Sequence, residues 1–403
     1  MQVQTIHYWL WLQKALGVGA SIKKLLAHFG TAGALYHSSI IDWKTSCCLT
    51  EKQIEKLAAT ELASVQRTVD ICERNGWEII SYEDVRYPDC LRNIKNPPAV
   101  LFVRGYLPAF DRTLSISVVG TREASPYGLK SARLLSKGLA KGGAVIVSGG
   151  ALGIDSEAHK GALEAGGVTC VVLGSPLDSS YLKTNAALRE KIVQNGGALV
   201  TEFPPGAAVG KGNFPIRNRI ISGLSDAVLV IEAGVKSGSA ITAKIAMEQG
   251  RDVFAVPSSI LDIHFCSTNE LIENGAFVAT SPKSVLRHYA DCYVDVEPSR
   301  AGTMYQLLAE ENGMPVADAP QPKQYTFEDM EQQRAAQTVR TEAYRHLNET
   351  ETVVYEAICD GVTAIYELSE KTNLSEQRLL STLTVLEIKG LITKLSGSRY
   401  QAK

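Results

Sequence analysis

Two arginines flank an asparagine in FPIRNRIISGL, residues 214–224, and the chain runs on into apolar residues with no acid in the same turn. Arg217 and Arg219 are permanent cations with planar, forked donor sets. Set beside a core-facing stretch, they point to an anion supplied from outside, and phosphate fits that geometry well. Asn218 between them adds an uncharged donor and acceptor. Other short stretches offer the same chemistry. GTREASPYG carries Arg122 on a turn, then Ser125 as a helix N-cap and Pro126 at the first helical position. SGGALGID supplies Ser148, Gly149, Gly150 and Gly153, small residues that let backbone N–H groups approach an anion near a helix start. GSPLDSSYLKTN adds Lys183 and Asn185, and EAGVKSGSAIT adds Ser237, Gly238 and Ser239.

Each turn also has a purely structural reading, because Gly is the ordinary residue for tight strand-to-helix connections. It is the number of such turns that points to a ligand. Asp155, at a helix start, suits a capping or dipole role better than acid catalysis. His159, one turn further on, has no Ser, Cys or second carboxylate at a nucleophile–base spacing and reads as a core histidine. There is no G-x-x-x-x-G-K-[ST], and the first strand does not lead into G-x-G-x-x-G with an acidic ribose reader. P-loop hydrolysis and a dinucleotide cofactor are therefore not indicated, which leaves a repeated-phosphate ligand or a simple mononucleotide.

The elements that must position these residues follow from periodicity. SISVVG, AVIVSG, VTCVVLG, ALVTEF, AVLVIEAG and DVFAVP are near-continuous apolar runs, as strands of a parallel sheet covered on both faces must be. Helical stretches alternate with them, several ending in Gly. The fold class expected is α/β, a doubly wound and mostly parallel sheet whose ligand site lies beyond the carboxyl ends of its strands. That rule gathers all the turns above onto one rim.

A length of 403 residues implies several domains. Residues 1–75 are expected to be helical, either a SAM-like or helix-hairpin-helix module around Gly17 and Gly19 that presents N–H groups to phosphate, or a small bundle packed on its neighbour. Residues 76–290 form the extended Rossmann domain. Residues 291–345, rich in Pro, Gln and Glu, read as a flexible linker. Residues 346–403 show three helical segments and a hairpin around Gly397, the shape of a winged helix. The helix SEQRLLSTLTVLEIKG balances Glu376 and Glu387 against Arg378 and Lys389, which suits a protein contact or accessory role better than sequence-specific duplex reading.

The formal net charge of −2 means that any polyanion surface must be local rather than global. Eight scattered cysteines without a C-x-x-C pair signal neither zinc nor a disulfide framework and fit a reducing cytoplasm. No secretory signal or spanning segment is legible in the sequence.

Taken in order, YPDCLRNIKNPPAVLFVRG, VVGTREASPYG, SGGALGIDSEAHKGALEAGG, FPIRNRIISGLS, EAGVKSGSAITAKIAMEQGRDVFAVP and LEIKGLITKLSGSRY closely resemble the DprA/Smf family of bacterial DNA-processing proteins over nearly the whole chain. The resemblance implies an extended Rossmann domain that binds single-stranded DNA, forms a homodimer and loads RecA onto the strand, displacing single-strand-binding protein, in natural transformation. It implies no catalysis and no cofactor. By the family pattern, Arg122, Lys183, Arg217 and Arg219 are the phosphate contacts and the Ser148–Gly153 turn adds main-chain donors. Tyr127, Tyr181 and Phe214 are candidates for base stacking, though each equally suits packing. The chain departs from the pattern at Tyr181-Leu182, Pro257-Ser258 and Thr268-Asn269. The competing reading is an enzyme of the LOG phosphoribohydrolase type on the same fold, with Glu232 as acid or base. It lacks that family's P-G-G-x-G-T-x-x-E turn. A transcription factor built on the winged helix is a third.

Overall fold

The computed structural model describes residues 4–181, 183–234, 237–262, 265–314, 347–359, 362–363, 365–395 and 399–402, and the chain divides into two units, Met1–Ala319 and Pro320–Lys403. The first unit opens with helices α1 (Thr5–Leu16), α2 (Lys23–Phe29), α3 (Ala32–His37), α4 (Ile40–Thr45), α5 (Glu51–Ala59) and α6 (Gln66–Asn75). Hydroxyl caps start three of these short helices: the side chains of Thr31, Ser39 and Thr50 each accept from the N3 amide. Trp9, Trp11, Leu25, Leu35 and Leu57 form their core, which continues onto the sheet at Val100 and Phe102. The Gly17–Gly19 turn has φ values of 89° and 80°. A Cβ on Gly19 would sit 3.0 Å from Ile216, and its N–H donates to the Glu202 carboxylate at 3.1 Å. The donor that a helix-hairpin-helix would aim at phosphate is taken here by the protein's own anion.

The six apolar runs become β3 (Ser115–Val119), β4 (Val145–Ser148), β5 (Thr169–Leu173), β6 (Ala198–Thr201), β7 (Ala227–Val230) and β8 (Asp252–Ala255). Three further strands complete a nine-stranded sheet: β1 (Glu78–Ser81) and β2 (Val100–Gly105), linked through the single turn α7 (Asp89–Arg92), and the two-residue β9 (Phe277–Val278). The order is β1-β2-β6-β5-β4-β3-β7-β8-β9, parallel except where β2 meets β1 and β6. The remaining helices are α8 (Pro126–Lys141), α9 (Ile154–Glu164), α10 (Ala186–Gln194), α11 (Asn213–Gly223), α12 (Gly238–Glu248), α13 (Ser267–Glu273), α14 (Pro282–Leu286) and α15 (Met304–Glu311). Alternate strand residues face opposite sides. Ile116, Ile146 and Leu229 bury against Leu135 of α8 and Ile154 of α9, while Val119, Val147 and Val228 bury against Ile220 of α11 and Ala243 of α12. The sheet is thus wound on both faces, and β3, continuing to β4 on one side, has β7 on the other. That reversal parts the turns after β3 and β7 and opens a crevice.

Residues 291–314, expected to begin the linker, pack onto the first unit instead. Val296, Ala301 and Leu307 are buried, and the segment fits because Gly138 and Gly142 leave room on α8: a Cβ on Gly138 would lie 2.7 Å from the Ala301 carbonyl. The rest of the expected linker lies outside the described residues. At the departure around Ser258, the Asn269 side chain accepts from the Ser258 N–H and donates to its carbonyl, both at 3.0 Å, so this edge is pinned by one amide.

In the second unit, α16 (Glu349–Cys359), α17 (Ile365–Thr372) and α18 (Glu376–Ile388) enclose Val354, Leu368, Leu379, Leu383 and Leu386 against the antiparallel pair β10 (Ile392–Leu395) and β11 (Arg399–Ala402). This is a winged helix. Its wing tip around Gly397 lies outside the described residues. Helix α18 leaves Leu380 and Ile388 exposed.

Candidate nucleic-acid interface

The crevice at the strand-order reversal holds about 360 Å³ and is lined by the β3 turn, the β4 turn, α11 and the start of α12. Arg122, Asp155, Arg217, Asn218, Ser237, Gly238 and Ser239 line it, so residues far apart in the chain meet there. The β3 and β4 turns are built into one another. Gly153 has φ 79°, a Cβ there would lie 2.6 Å from the Thr121 and Arg122 carbonyls, and the next amide, that of Ile154, donates to Thr121 at 3.3 Å. Any larger side chain at Gly153 would push Arg122 out of place.

Arg122 is exposed, and its guanidinium lies 5.1 Å from the Phe214 ring centroid, which in turn lies 5.4 Å from that of Tyr181. A cation resting on an aromatic face is held without being neutralised. Among the described residues neither Arg122 nor the exposed Lys183 has a carboxylate within ion-pair distance. Lys183 opens the short turn Lys183–Asn185 before α10, beside the crevice rather than lining it.

The two arginines of α11 part company, because residues two apart on a helix point about 200° apart. Arg217 faces the crevice but is buried. It donates to the Gly149 carbonyl at 2.7 Å and to that of Val172, and to the Asn218 side chain at 3.2 Å. Burial lowers its pKa to about 10 while Asp155 pulls it back up, so it stays cationic at neutral pH. Arg217, which the family pattern makes a phosphate contact, is thus a buried cation at the floor of the crevice rather than a free one at its surface. Arg219 points the other way and pairs at 2.5 Å with Glu202, whose second oxygen takes the Gly19 N–H. The acid missing from its own turn comes from the end of β6.

Several expected contacts sit behind the rim. The Asn185 amide, buried, donates to the Gly150 and Ala151 carbonyls and to Ser156, which ties the β4 and β5 turns together. The Ser148 hydroxyl donates to the Val118 carbonyl at 2.6 Å. Asn218 donates to the Gly238 carbonyl at 3.3 Å, while the Ser237 hydroxyl caps α12 through Ala240 at 3.2 Å. A Cβ on Gly238 would meet nothing, so backbone there is open to a ligand. Asp155 accepts from the Ala151 N–H at 3.2 Å, and burial raises its pKa against the pull of Arg217. Glu232, the acid or base of the enzyme reading, is buried and accepts from both the Ser125 N–H and hydroxyl, holding the start of α8.

His159 is a core residue. Thr169 gives its hydroxyl proton to Ile146 and so accepts from Nδ1–H at 2.7 Å, and burial drops the imidazole pKa to about 3. Because an unfolded histidine titrates near 6.5, the unfolded state binds more protons between about pH 6.5 and 3, and stability falls as pH falls through that window. We expect a slope of up to about 1.4 kcal/mol per pH unit from this residue. It is read as the difference in urea midpoints between the parent and His159→Gln, a comparison in which the opposing titration of Asp155 cancels.

The residue types visible in the sequence did not single out Glu202, whose signal was only an acid directly after a strand on the same rim. Comparison with known proteins completes the picture. Residues 78–290 match the family described as DNA recombination-mediator protein A, and residues 338–398 match the DprA winged helix domain. Protein Smf of Escherichia coli (strain K12) is 40% identical over 240 residues, 60% of this chain and 64% of that one. Protein Smf of Synechocystis sp. is 33% identical over 417 residues, 98% of each chain. The X-ray structure of DNA processing protein A (DprA) from Streptococcus pneumoniae superposes with a TM-score of 0.60 at 34% identity, covering 71% of this chain and 98% of that one. With the family domain spanning more than half of its length and a relative matched across almost all of it, the chain belongs to the DprA/Smf family, that of DNA recombination-mediator protein A.

Proposed function

We propose that this protein binds single-stranded DNA without strong sequence preference along the crevice rim, and that it loads a RecA recombinase onto the strand during natural transformation. In this reading it acts as a homodimer in the cytoplasm, displaces single-strand-binding protein and catalyses no reaction. The observation that carries the reading is the set of cations around one crevice: Arg122 and Lys183, which have no carboxylate within ion-pair distance among the described residues, and the buried, charged Arg217. Phosphates carry no base information, so such a rim follows the backbone of any sequence. The Phe214 and Tyr181 rings beside it favour unpaired bases, which alone expose a face for stacking. The family's description as a recombination mediator supports the hand-over to a recombinase. Against a phosphoribohydrolase, both Glu232 oxygens already accept from Ser125.

The test is fluorescence anisotropy of a labelled oligothymidylate over a salt series, with a duplex competitor and AMP as controls. We expect preference for the single strand and a log–log slope of about −0.7 per phosphate contacted. Arg122→Ala leaves an exposed position and is expected to keep the parent's melting temperature, while reducing that slope by about 0.7. Saturable AMP binding with none of the strand would overturn the proposal in favour of the enzyme reading.

A further inference from the structure

Helix α8 starts at the rim, directly after the Arg122 turn, and carries Lys130, Arg133, Lys137 and Lys141 at i, i+3, i+7 and i+11. That spacing sets four cations on one face over about 16 Å. Arg133 is neutralised by Glu157 and Glu164 of the neighbouring α9. The three lysines are met by a different element: Glu311 of α15 lies 3.1 Å from Lys130, and Glu310 lies 2.7 Å from Lys141 and 3.6 Å from Lys137. Helix α15 is itself anchored by buried Leu307, but its two carboxylates remain about two-fifths exposed.

We propose that Glu310 and Glu311 are placeholder anions on a second phosphate track, the lysine face of α8, which continues the rim and is uncovered when a strand long enough to leave the crevice competes for it. The inference rests on the single-strand reading of the rim. Partly exposed ion pairs of this kind are weak and exchange with solvent ions. A strand already held at Arg122 presents its next phosphates at high effective concentration, and each lysine it captures releases a counterion from the strand. The carboxylates can swing away while Leu307 keeps α15 in place, so no unfolding is needed. The covering acids keep the face from binding polyanions on its own and make the second track depend on occupancy of the first.

The experiment compares the full-length parent, Glu310→Gln with Glu311→Gln, and that pair combined with Lys130→Gln, Lys137→Gln and Lys141→Gln. Binding of a short and a long oligothymidylate is measured over a salt series. The long strand is expected to show a salt slope up to about 2 steeper in the parent than in the protein lacking the three lysines, at about 0.7 for each lysine captured, and removing the acids is expected to tighten the long strand while leaving the short strand unchanged. Adding the three lysine substitutions is expected to remove the gain. The parent and acid-to-amide melting curves establish that α15 stays docked. Unchanged long-strand affinity in the acid-to-amide protein, with the parent still binding and Arg122→Ala still weakened, overturns this inference and leaves the rim standing. A gain that survives the lysine substitutions also overturns it. Absence of strand binding by parent and variants alike overturns the rim reading and this one with it.

Discussion

Replacing Arg217 by alanine is expected to reduce single-strand affinity by about 2–5 kcal/mol, roughly 30-fold to several thousandfold, and to destabilise the fold at the same time. Both effects have one cause. The guanidinium is a buried cation whose donors are engaged by the Gly149 and Val172 carbonyls and by Asn218, and it faces the buried Asp155 carboxylate. Truncation leaves two buried carbonyls without a donor and an acid without its cation. Breaking a buried charge pair from one side costs about 3–5 kcal/mol. A triple substitution of Arg122, Lys183 and Arg217 would therefore confuse loss of the site with loss of the fold, contrary to what three exposed cations would allow. Arg217→Lys keeps the charge with a single ammonium in place of the fork, and is expected to recover part of the stability and less of the binding. Anisotropy and urea denaturation on the same samples check the pair. If Arg217→Ala binds the strand as the parent does, Arg217 is a structural strut and the rim is Arg122 and Lys183 alone.

How legible this was in the sequence depended on the range of the contacts involved. Signals that act within a few residues were readable: the apolar runs of β3 to β8, the Ser125 cap with Pro126 behind it, and the Gly-rich turns that Gly153 exemplifies. The rim itself followed from topology, since strands of one parallel sheet must bring their carboxyl-end turns together. Contacts closed across the fold were not readable. FPIRNR shows two arginines and no acid, because the acid for Arg219 stands at Glu202, before a connection and on another element. A two-apart spacing on a helix already sets the two side chains on different faces, so their divergence could be read from FPIRNR itself. The segment after residue 291 reads as a linker because its periodicity is weak, yet Val296 and Ala301 find a groove left open by Gly138 of α8 and by Gly142 just beyond its end. Composition reports what a segment can do alone, and here the partner decided.

Glu202 carries the second large expectation, and it bears on how the amino-terminal helices and the crevice are joined. Its carboxylate is 2% exposed and joins Arg219 of α11 to the amide of Gly19, while its carbonyl accepts from Gln13 of α1 at 3.0 Å. Glu202→Ala is expected to cost about 3 kcal/mol, because it takes the carboxylate from a largely buried guanidinium and from the partly buried Gly19 N–H together. Removing both charges should cost less than the sum of the single changes, since neither partner is then left alone. The double-mutant cycle with Arg219→Ala, followed by urea denaturation, measures that coupling, and a value near zero would mean the pair contributes nothing as a pair. The same cycle also separates the two roles open to Arg219. As a latch it should change stability while the salt slope for strand binding stays at the parent value. As a phosphate contact it should lower that slope by about 0.7 with little change in stability. The 2.5 Å pair and the helix geometry that turns Arg219 away from the crevice favour the latch. Helix α11 then has two faces: Phe214 and Arg217 line the crevice, and Arg219, paired with Glu202, fixes the rotation of the helix that presents them.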